Sequence, residues 1–460
     1  MTSTMINNVF AQLIAQYTTS ETLFAYLTSA EGGSLTVRDT RSDPTDSLVV
    51  VHYKKGVSDL TKPHVPYFRS VVWNTRSNRP VCAGPPHGHK FTTEGLTGLT
   101  TFVAEDFVDG VMLNMFWDGA KNSWRIASRS QMDAMNTFYS KKPFAMLFFE
   151  AIAAQNLNLD ELNRDYTYSW VLQHPEERVV TSTPYGMPRL RLVEMARFQE
   201  DGSQCVVREP ATFLTARFRE TLPERHELAS LEDVKERVVA WGRRFGAQWQ
   251  GLVLKNTGAG ELPARWKLRT DQYDAARELR GSVAKLPFIW LERWSNNQIT
   301  QYLRLYPEEA HAANAVIDGF KACTQEAYDL YQKVYRERAF PLKEAPQKYR
   351  KLLWDIHGAR AGSYFPNLRE FMNKQDTARK LWLVNYEARY GPALTLADGD
   401  FPPLTRTVTN DNAELDRACY EAEGLAAVAK QEAAVLAEQD AVLDALSRDE
   451  QDALSRDASC

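Results

Sequence analysis

Up to Asp271 the apolar residues of this chain fall mostly in short alternating runs, and beyond it they recur three and four positions apart. The first pattern is that of half-buried strands, the second that of helices with one apolar face. Strands are expected at 48–53, 70–73 and 81–83. Val111, Leu113, Met115 and Trp117 then alternate up to the turn Asp118-Gly119, and 124–127 returns from it, which reads as a hairpin. Further strands are expected at 166–172, 249–255 and 265–269. Helices interrupt this series. Residues 1–30 read as helical from Ile6, Val9, Phe10, Leu13, Ile14 and Tyr17, with a second short run after Thr18-Thr19-Ser20-Glu21. Residues 132–154 read as a helix burying Phe144, Met146, Leu147, Phe149 and Ile152, and 231–245 as one capped by Ser230, with Val234, Val238 and Trp241 inward. Beyond Asp271, helices are expected at 273–280, 296–306, 309–338 and 344–357.

Composition adds bounds. The chain has 460 residues, 44% apolar and 25% charged, enough for two or three domains with real cores. No basic start followed by an apolar core and no run of 18 apolar residues is present, so the expectation is an intracellular protein or one packaged in a virion, neither secreted nor membrane-bound. Five cysteines, far apart, fit reduced thiols better than a disulfide framework or a zinc site. The net charge of −4 is uneven: residues 411–460 carry 13 acidic against 4 basic side chains, leaving +5 on residues 1–410. That acidic tail spaces Val428, Val435 and Val442 seven apart, the spacing of a short coiled coil that offers self-association, and repeats Asp-Ala-Leu-Ser-Arg-Asp at 444 and 452. His87 and His89 lie in a Gly/Pro loop and read as solvated. Lys333, Arg336, Arg338, Lys343, Lys348, Arg350, Lys351 and Arg360 crowd one helical region. Glu337, Glu344 and Asp355 are interleaved with them, which makes a mixed solvated face the simpler reading.

Several short stretches carry a common order: Arg69, Lys90-Phe91, Asp109-Gly110, Ser128-Arg129, His174-Pro-Glu-Glu-Arg178-Val-Val, Gly251-Leu-Val-Leu-Lys255 and Lys267-Leu-Arg269. Together they resemble the ATP-dependent RNA ligases of the bacteriophage type, in the covalent nucleotidyltransferase superfamily. Leu279-Arg-Gly-Ser-Val-Ala-Lys-Leu286 adds a likeness to the ligase-like proteins of large DNA viruses. The resemblance spans roughly residues 45–310. It implies an α+β fold: a ligase-type antiparallel β domain with flanking helices, followed by an all-α C-terminal domain. The divisions expected are an N-terminal segment at 1–44, the nucleotidyltransferase domain at 45–285, a helical domain at 286–395, a linker at 396–412 and an acidic tail at 413–460.

Such ligases attack the α-phosphate of ATP with a lysine amine and use a divalent metal held by carboxylates. In this chain the departures fall on those positions. Phe107 stands where the resemblance places the lysine, although Asp109 and Gly110 follow it. Val171 and Gln250 stand where it places two glutamates, so no metal ligand set is expected. Arg269 replaces a lysine. The cations remain: Arg69, Lys90, Arg129, Lys255, Lys267 and Arg269 are the expected nucleotide- or phosphate-binding residues. The resemblance thus implies a pseudoenzyme that binds RNA or nucleotide without a covalent intermediate. An active ligase using ATP and Mg²⁺, with its nucleophile moved to Lys90, Lys255 or Lys267, is the alternative, and a structural or virion scaffold is the third reading.

Overall fold

The computed structural model describes residues 4–39, 46–90, 99, 101–258 and 261–390. The chain divides after Arg280 into two compact units. Phe91, the linker and the acidic tail, with the coiled coil expected there, lie outside the described residues.

In chain order the first unit runs β1 (Thr4–Asn7), α1 (Val9–Gln16), α2 (Ser20–Thr28), β2 (Thr36–Arg38), β3 (Leu48–His52), β4 (Val71–Asn74), β5 (Arg79–Ala83), β6 (His89–Lys90), β7 (Phe102–Asp106), β8 (Val111–Asp118) and β9 (Ser123–Ala127). It continues α3 (Phe144–Ala154), β10 (Thr167–Gln173), β11 (Arg189–Phe198), β12 (Gln204–Val207), α4 (Ala216–Arg219), β13 (Arg225–His226), α5 (Leu231–Phe245), β14 (Gly251–Asn256), β15 (Arg265–Arg269) and α6 (Asp271–Arg280). Three sheets result, in the orders β1-β12-β11-β10-β8-β9, β13-β7-β14-β15-β6 and β2-β3-β4-β5. Pairing is antiparallel throughout, except that β6 joins β15 in parallel.

Two of these sheets each bury one face under a helix. Leu113, Met115, Trp170, Leu172, Leu190, Leu192 and Met195 of the six-stranded sheet pack with Leu147, Phe148 and Ala151 of α3. Ala104, Leu252, Leu254 and Leu268 of the five-stranded sheet pack with Val234 and Val238 of α5. Side chains alternate along a strand, so the residues between these project from the opposite face. The helix α5 is held at its start by a capping box, Ser230 with Asp233, as its sequence signal indicates.

Two helical expectations are corrected. Residues 1–30 open with the strand β1, because Met5 and Ile6 pair with Val206 and Cys205 of β12; only then do α1 and α2 follow. The expected helix at 132–154 starts at Phe144. Asp133 and Ala134 adopt positive φ, and the amides of Tyr139 and Ser140 donate to the Glu177 carboxylate in place of a helical ladder. Its buried face also differs: Met146 and Phe149 are exposed, while Leu147, Phe148 and Ala151 meet the sheet. A helix apolar on nearly every side gives no phase from which to read its inner face.

The second unit contains α7 (Leu286–Ser295), α8 (Ile299–Leu305), α9 (Ala310–Tyr331), α10 (Gln347–Gly358), α11 (Phe365–Asn373) and α12 (Thr377–Tyr390) around Phe288, Leu291, Phe320, Tyr349, Leu353 and Leu368. The molecule is thus α+β with antiparallel sheets, followed by a helical region. In the basic stretch of α10, Lys348 is buried, Arg350 donates to the Ala345 carbonyl, and Lys351 pairs with Asp355, which also pairs with Arg379 of α12. No helix among the described residues is long and apolar enough to cross a membrane.

Candidate functional site

The turn after β7 carries the Phe107-Val-Asp109-Gly110 stretch. The Phe107 amide donates to the Gly251 carbonyl at 2.9 Å, which ties this turn to the start of β14. Asp109 is buried, and its Oδ2 accepts from the amides of Val180 and Thr181 at 2.9 Å each, while Tyr273 donates its hydroxyl to Oδ1 at 2.6 Å. Burial and the Asp109 charge push the Tyr273 hydroxyl well above the ordinary tyrosine range. Two glycines permit the close approach. Gly110 (φ +142°) and Gly251 (φ +134°) have positive φ, and a Cβ on either would run into a carbonyl oxygen, of Leu172 and Leu268 respectively.

The face of β14 and β15 away from α5 carries the cations. In the antiparallel register Val253 lies opposite Lys267, Lys255 opposite Arg265, and Gly251 opposite Arg269. Lys267 and Arg269 therefore share a face with Lys255, as their alternation in sequence indicates. Both flank the Phe107 ring: Lys267 Nζ lies 5.9 Å and the Arg269 guanidinium 5.3 Å from its centroid.

The expected phosphate-binding residues separate into two groups. Lys255 is committed elsewhere: its ammonium is 2.6 Å from Glu105 Oε2 and donates to the Val193 carbonyl at 2.6 Å. Burial opposes a charge on Glu105, yet Lys255 and Arg225 hold its carboxyl below the usual range. Lys90 is exposed on β6, in register beside Lys267. Arg129 donates to the Tyr53 carbonyl at 3.0 Å and lies over the Tyr53 ring. Arg69, Lys267 and Arg269 form the second group. Arg69 Nη1 and Arg269 Nε are shut away from water with no hydrogen-bond partner among the described residues. Lys267 is pushed down to about 6, by burial first and then by Arg265, Arg69, Arg269 and Arg277.

Two members of this cluster were not singled out from sequence. Arg265 is buried, its Nε has no partner among the described residues, and burial with nearby Arg69 lowers it to about 9. The signal was available, since Arg265, Lys267 and Arg269 alternate on one strand. His87 corrects the reading of a solvated histidine. It hydrogen-bonds Tyr53 Oη through Nδ1 at 2.9 Å, and burial followed by Lys267 and Arg69 pushes it down to about 4.

A divalent cation does not fit these residues. Val171 offers no donor, and Gln250 offers one neutral oxygen, Oε1, buried and without a partner. Of the carboxylates nearby, Glu105 is engaged by Lys255 and Arg225 and Asp109 by two amides and a hydroxyl, while buried Glu194 lies 3.9 Å from Arg208 and near the Arg69 and Arg265 charges. Elsewhere Glu150, His174 and Glu176 converge, but the Lys142 ammonium lies 3.1 and 2.6 Å from the two carboxylates and supplies the positive charge there. The remaining motif residues hold the chain: Arg280 is buried, donates to the Arg178 carbonyl at 3.0 Å and lies over the Tyr139 ring.

Searches of protein-family models and of curated proteins find no match. Among solved structures the chain is similar to two forms of an archaeal ATP-dependent RNA ligase. Form 1 has 13% identity and a TM-score of 0.39 over 82% of this chain and 79% of that one. Form 2 has 11% identity and a TM-score of 0.39 over 85% of this chain and 92% of that one. It is also similar to an Aquifex aeolicus protein described as an ATP-dependent DNA ligase, with 16% identity and a TM-score of 0.36 over 63% of this chain and 72% of that one. Every TM-score is below 0.5.

Proposed function

We propose that this chain is a ligase-like, nucleotidyltransferase-fold protein of the bacteriophage RNA ligase type, which binds phosphate groups of RNA or a nucleotide and forms no covalent intermediate at position 107. One observation carries this reading. Arg69 Nη1, Arg265 Nε and Arg269 Nε are buried with no hydrogen-bond partner among the described residues, and Lys267 and Arg269 flank the Phe107 ring. A buried donor atom without a partner is costly, and an anion that accepts from it removes that cost. Phosphate oxygens accept from several guanidinium and ammonium donors at once. Phenylalanine has no lone pair with which to attack phosphorus, so the ring at 107 ends the covalent route there.

A second reading, an active nucleotidyltransferase, is favoured by the state of Lys267. Its amine has no ion pair among the described residues and is neutral above about pH 6, whereas Lys255 is ion-paired and Lys90 exposed. Incubation with labelled ATP and GTP, with Mg²⁺ and with Mn²⁺, separates the two. The expected result is label retained on a filter under native conditions and lost on denaturation. Denaturation-stable label that disappears in Lys267→Ala would overturn the first reading in favour of the second.

A further inference from the structure

A cavity of about 110 Å³ lies between β7 and β14 of one sheet and β11 and β12 of another. A single water needs roughly 10–15 Å³ by the same measure, so there is room for a ring system and not only a bridging water. Val103, Val193, Val207, Pro210 and Leu222 give it apolar walls. Most of its charged lining is engaged. Glu105 is held by Lys255 and Arg225, and Arg208 donates through Nε to the Asn256 carbonyl at 3.0 Å and through Nη2 to Asn256 Oδ1 at 3.3 Å. Glu194 is the exception. It is 6% exposed and lines the cavity, yet its carboxylate accepts no hydrogen bond from any described residue. Arg208 Nη1 stands 3.9 Å from Glu194 Oε2, beyond hydrogen-bond distance. A bulge puts Glu194 there. Pairing with β10 jumps from Ser169 opposite Glu194 to Trp170 opposite Leu192, and without that extra residue Glu194 would follow Leu192 toward α3.

We infer that this cavity takes the base of a guanine nucleotide, with Glu194 accepting from the ring N1–H and the exocyclic amine while Arg208 Nη1 donates to O6. This rests on the phosphate-binding reading above and adds which base accompanies the phosphate. A buried carboxylate without a partner is costly, and a ligand that donates to it removes that cost. A carboxylate only accepts and a guanidinium only donates, so the two side by side call for a ligand edge with donors next to an acceptor. Guanine has two adjacent N–H donors, one for each carboxylate oxygen, followed by a carbonyl oxygen for the guanidinium. Adenine offers one N–H donor and the N1 lone pair, and leaves the second carboxylate oxygen unmet. An organic cation is disfavoured, because the guanidiniums of Arg208, Arg69 and Arg265 are all near Glu194. The apolar walls suit the faces of a planar ring. The cavity also adjoins the phosphate-binding cations: Lys255 lines it, and Arg265 lies opposite Lys255 in register. One nucleotide can therefore place its base against Glu194 and its phosphates on the cluster.

Titration calorimetry of the full chain with GTP, ITP and ATP at low salt compares the bases on a common triphosphate. GTP is expected to bind at least about tenfold more tightly than ITP, which lacks the exocyclic amine, and than ATP, since each forgoes one hydrogen bond to a charged group. Glu194→Gln keeps the shape but offers one acceptor and one donor, a set that meets adenine N6–H and N1 and opposes a guanine N–H. In that variant GTP should lose about tenfold or more while ATP is held or gains, which removes or inverts the preference. A loss of folding alone would not change the order of the bases, and if Glu194→Gln does not fold, the wild-type series decides. GTP bound no more tightly than ATP by the wild type overturns the inference and leaves the phosphate-binding reading standing. A GTP preference that survives in folded Glu194→Gln assigns the selection to another group and also overturns it. Absence of binding by all three nucleotides overturns both.

Discussion

Lys255→Met is the substitution that best separates a cation serving the fold from a cation serving a ligand. Glu105 and Lys255 are both more than nine-tenths buried, and their charged atoms are 2.6 Å apart. Removing the ammonium leaves a buried carboxylate with Arg225 alone, 3.2 Å away and partly exposed. A broken buried pair typically costs about 3–5 kcal/mol, and the remaining guanidinium places this case at about 3 kcal/mol. The Val193 carbonyl also loses its donor, at about 1 kcal/mol within that total. Replacing both partners, Lys255→Met with Glu105→Leu, removes the stranded charge, and the double variant should lie within about 1 kcal/mol of the wild type. Urea unfolding of the four proteins at pH 7 reads this directly. If Lys255→Met loses less than about 1 kcal/mol, or the double variant is no more stable than the single, the buried-pair argument is wrong. The sign with pH follows from the lowered Glu105 carboxyl: its contribution is present above the ordinary carboxylate range and is lost as acid passes through the depressed value.

Three further outcomes are expected. Tyr273→Phe removes the donor to Asp109 Oδ1 and should cost about 1.5–3 kcal/mol in urea unfolding, as for a hydrogen bond to a charged group. Gly251→Ala, forced to positive φ against the Leu268 carbonyl, should cost more than Gly246→Ala, whose added Cβ meets nothing, in thermal melts of the two variants. Because the folded value for Lys267 is depressed, the unfolded chain binds more protons between about pH 6 and 10. The wild type should therefore gain stability relative to Lys267→Met as pH rises, by up to about 1.4 kcal/mol per unit.

The strands and the cation face were legible in sequence for a physical reason: both depend on a period of two. The hairpin of β8 and β9, the cap of α5 and the shared face of Lys267 and Arg269 are local consequences of residue order. The pairing of Lys255 with Glu105 was not legible, because it needs the register of β7 against β14, strands some 150 residues apart. The start of α3 was hidden for a similar reason, since the amides before it are claimed by Glu177 from beyond β10. His87 looked like a loop histidine, and only the folded chain places it against Tyr53 and near Lys267. At position 107 the structure shows what surrounds the ring: Lys267 and Arg269.

The most direct test of phosphate binding by this cation cluster is the affinity of the full chain for ATP at low salt, compared between the wild type and the variant Arg69→Ala, Lys267→Ala, Arg269→Ala. Losing three donors worth about 1 kcal/mol or more each to a phosphate should weaken binding by at least about a hundredfold. Lys255→Met, corrected for any loss of folded protein, should bind within about threefold of the wild type, because its ammonium is already held by Glu105. A folded triple variant that binds ATP as well as the wild type would contradict the assignment of phosphate binding to this cluster.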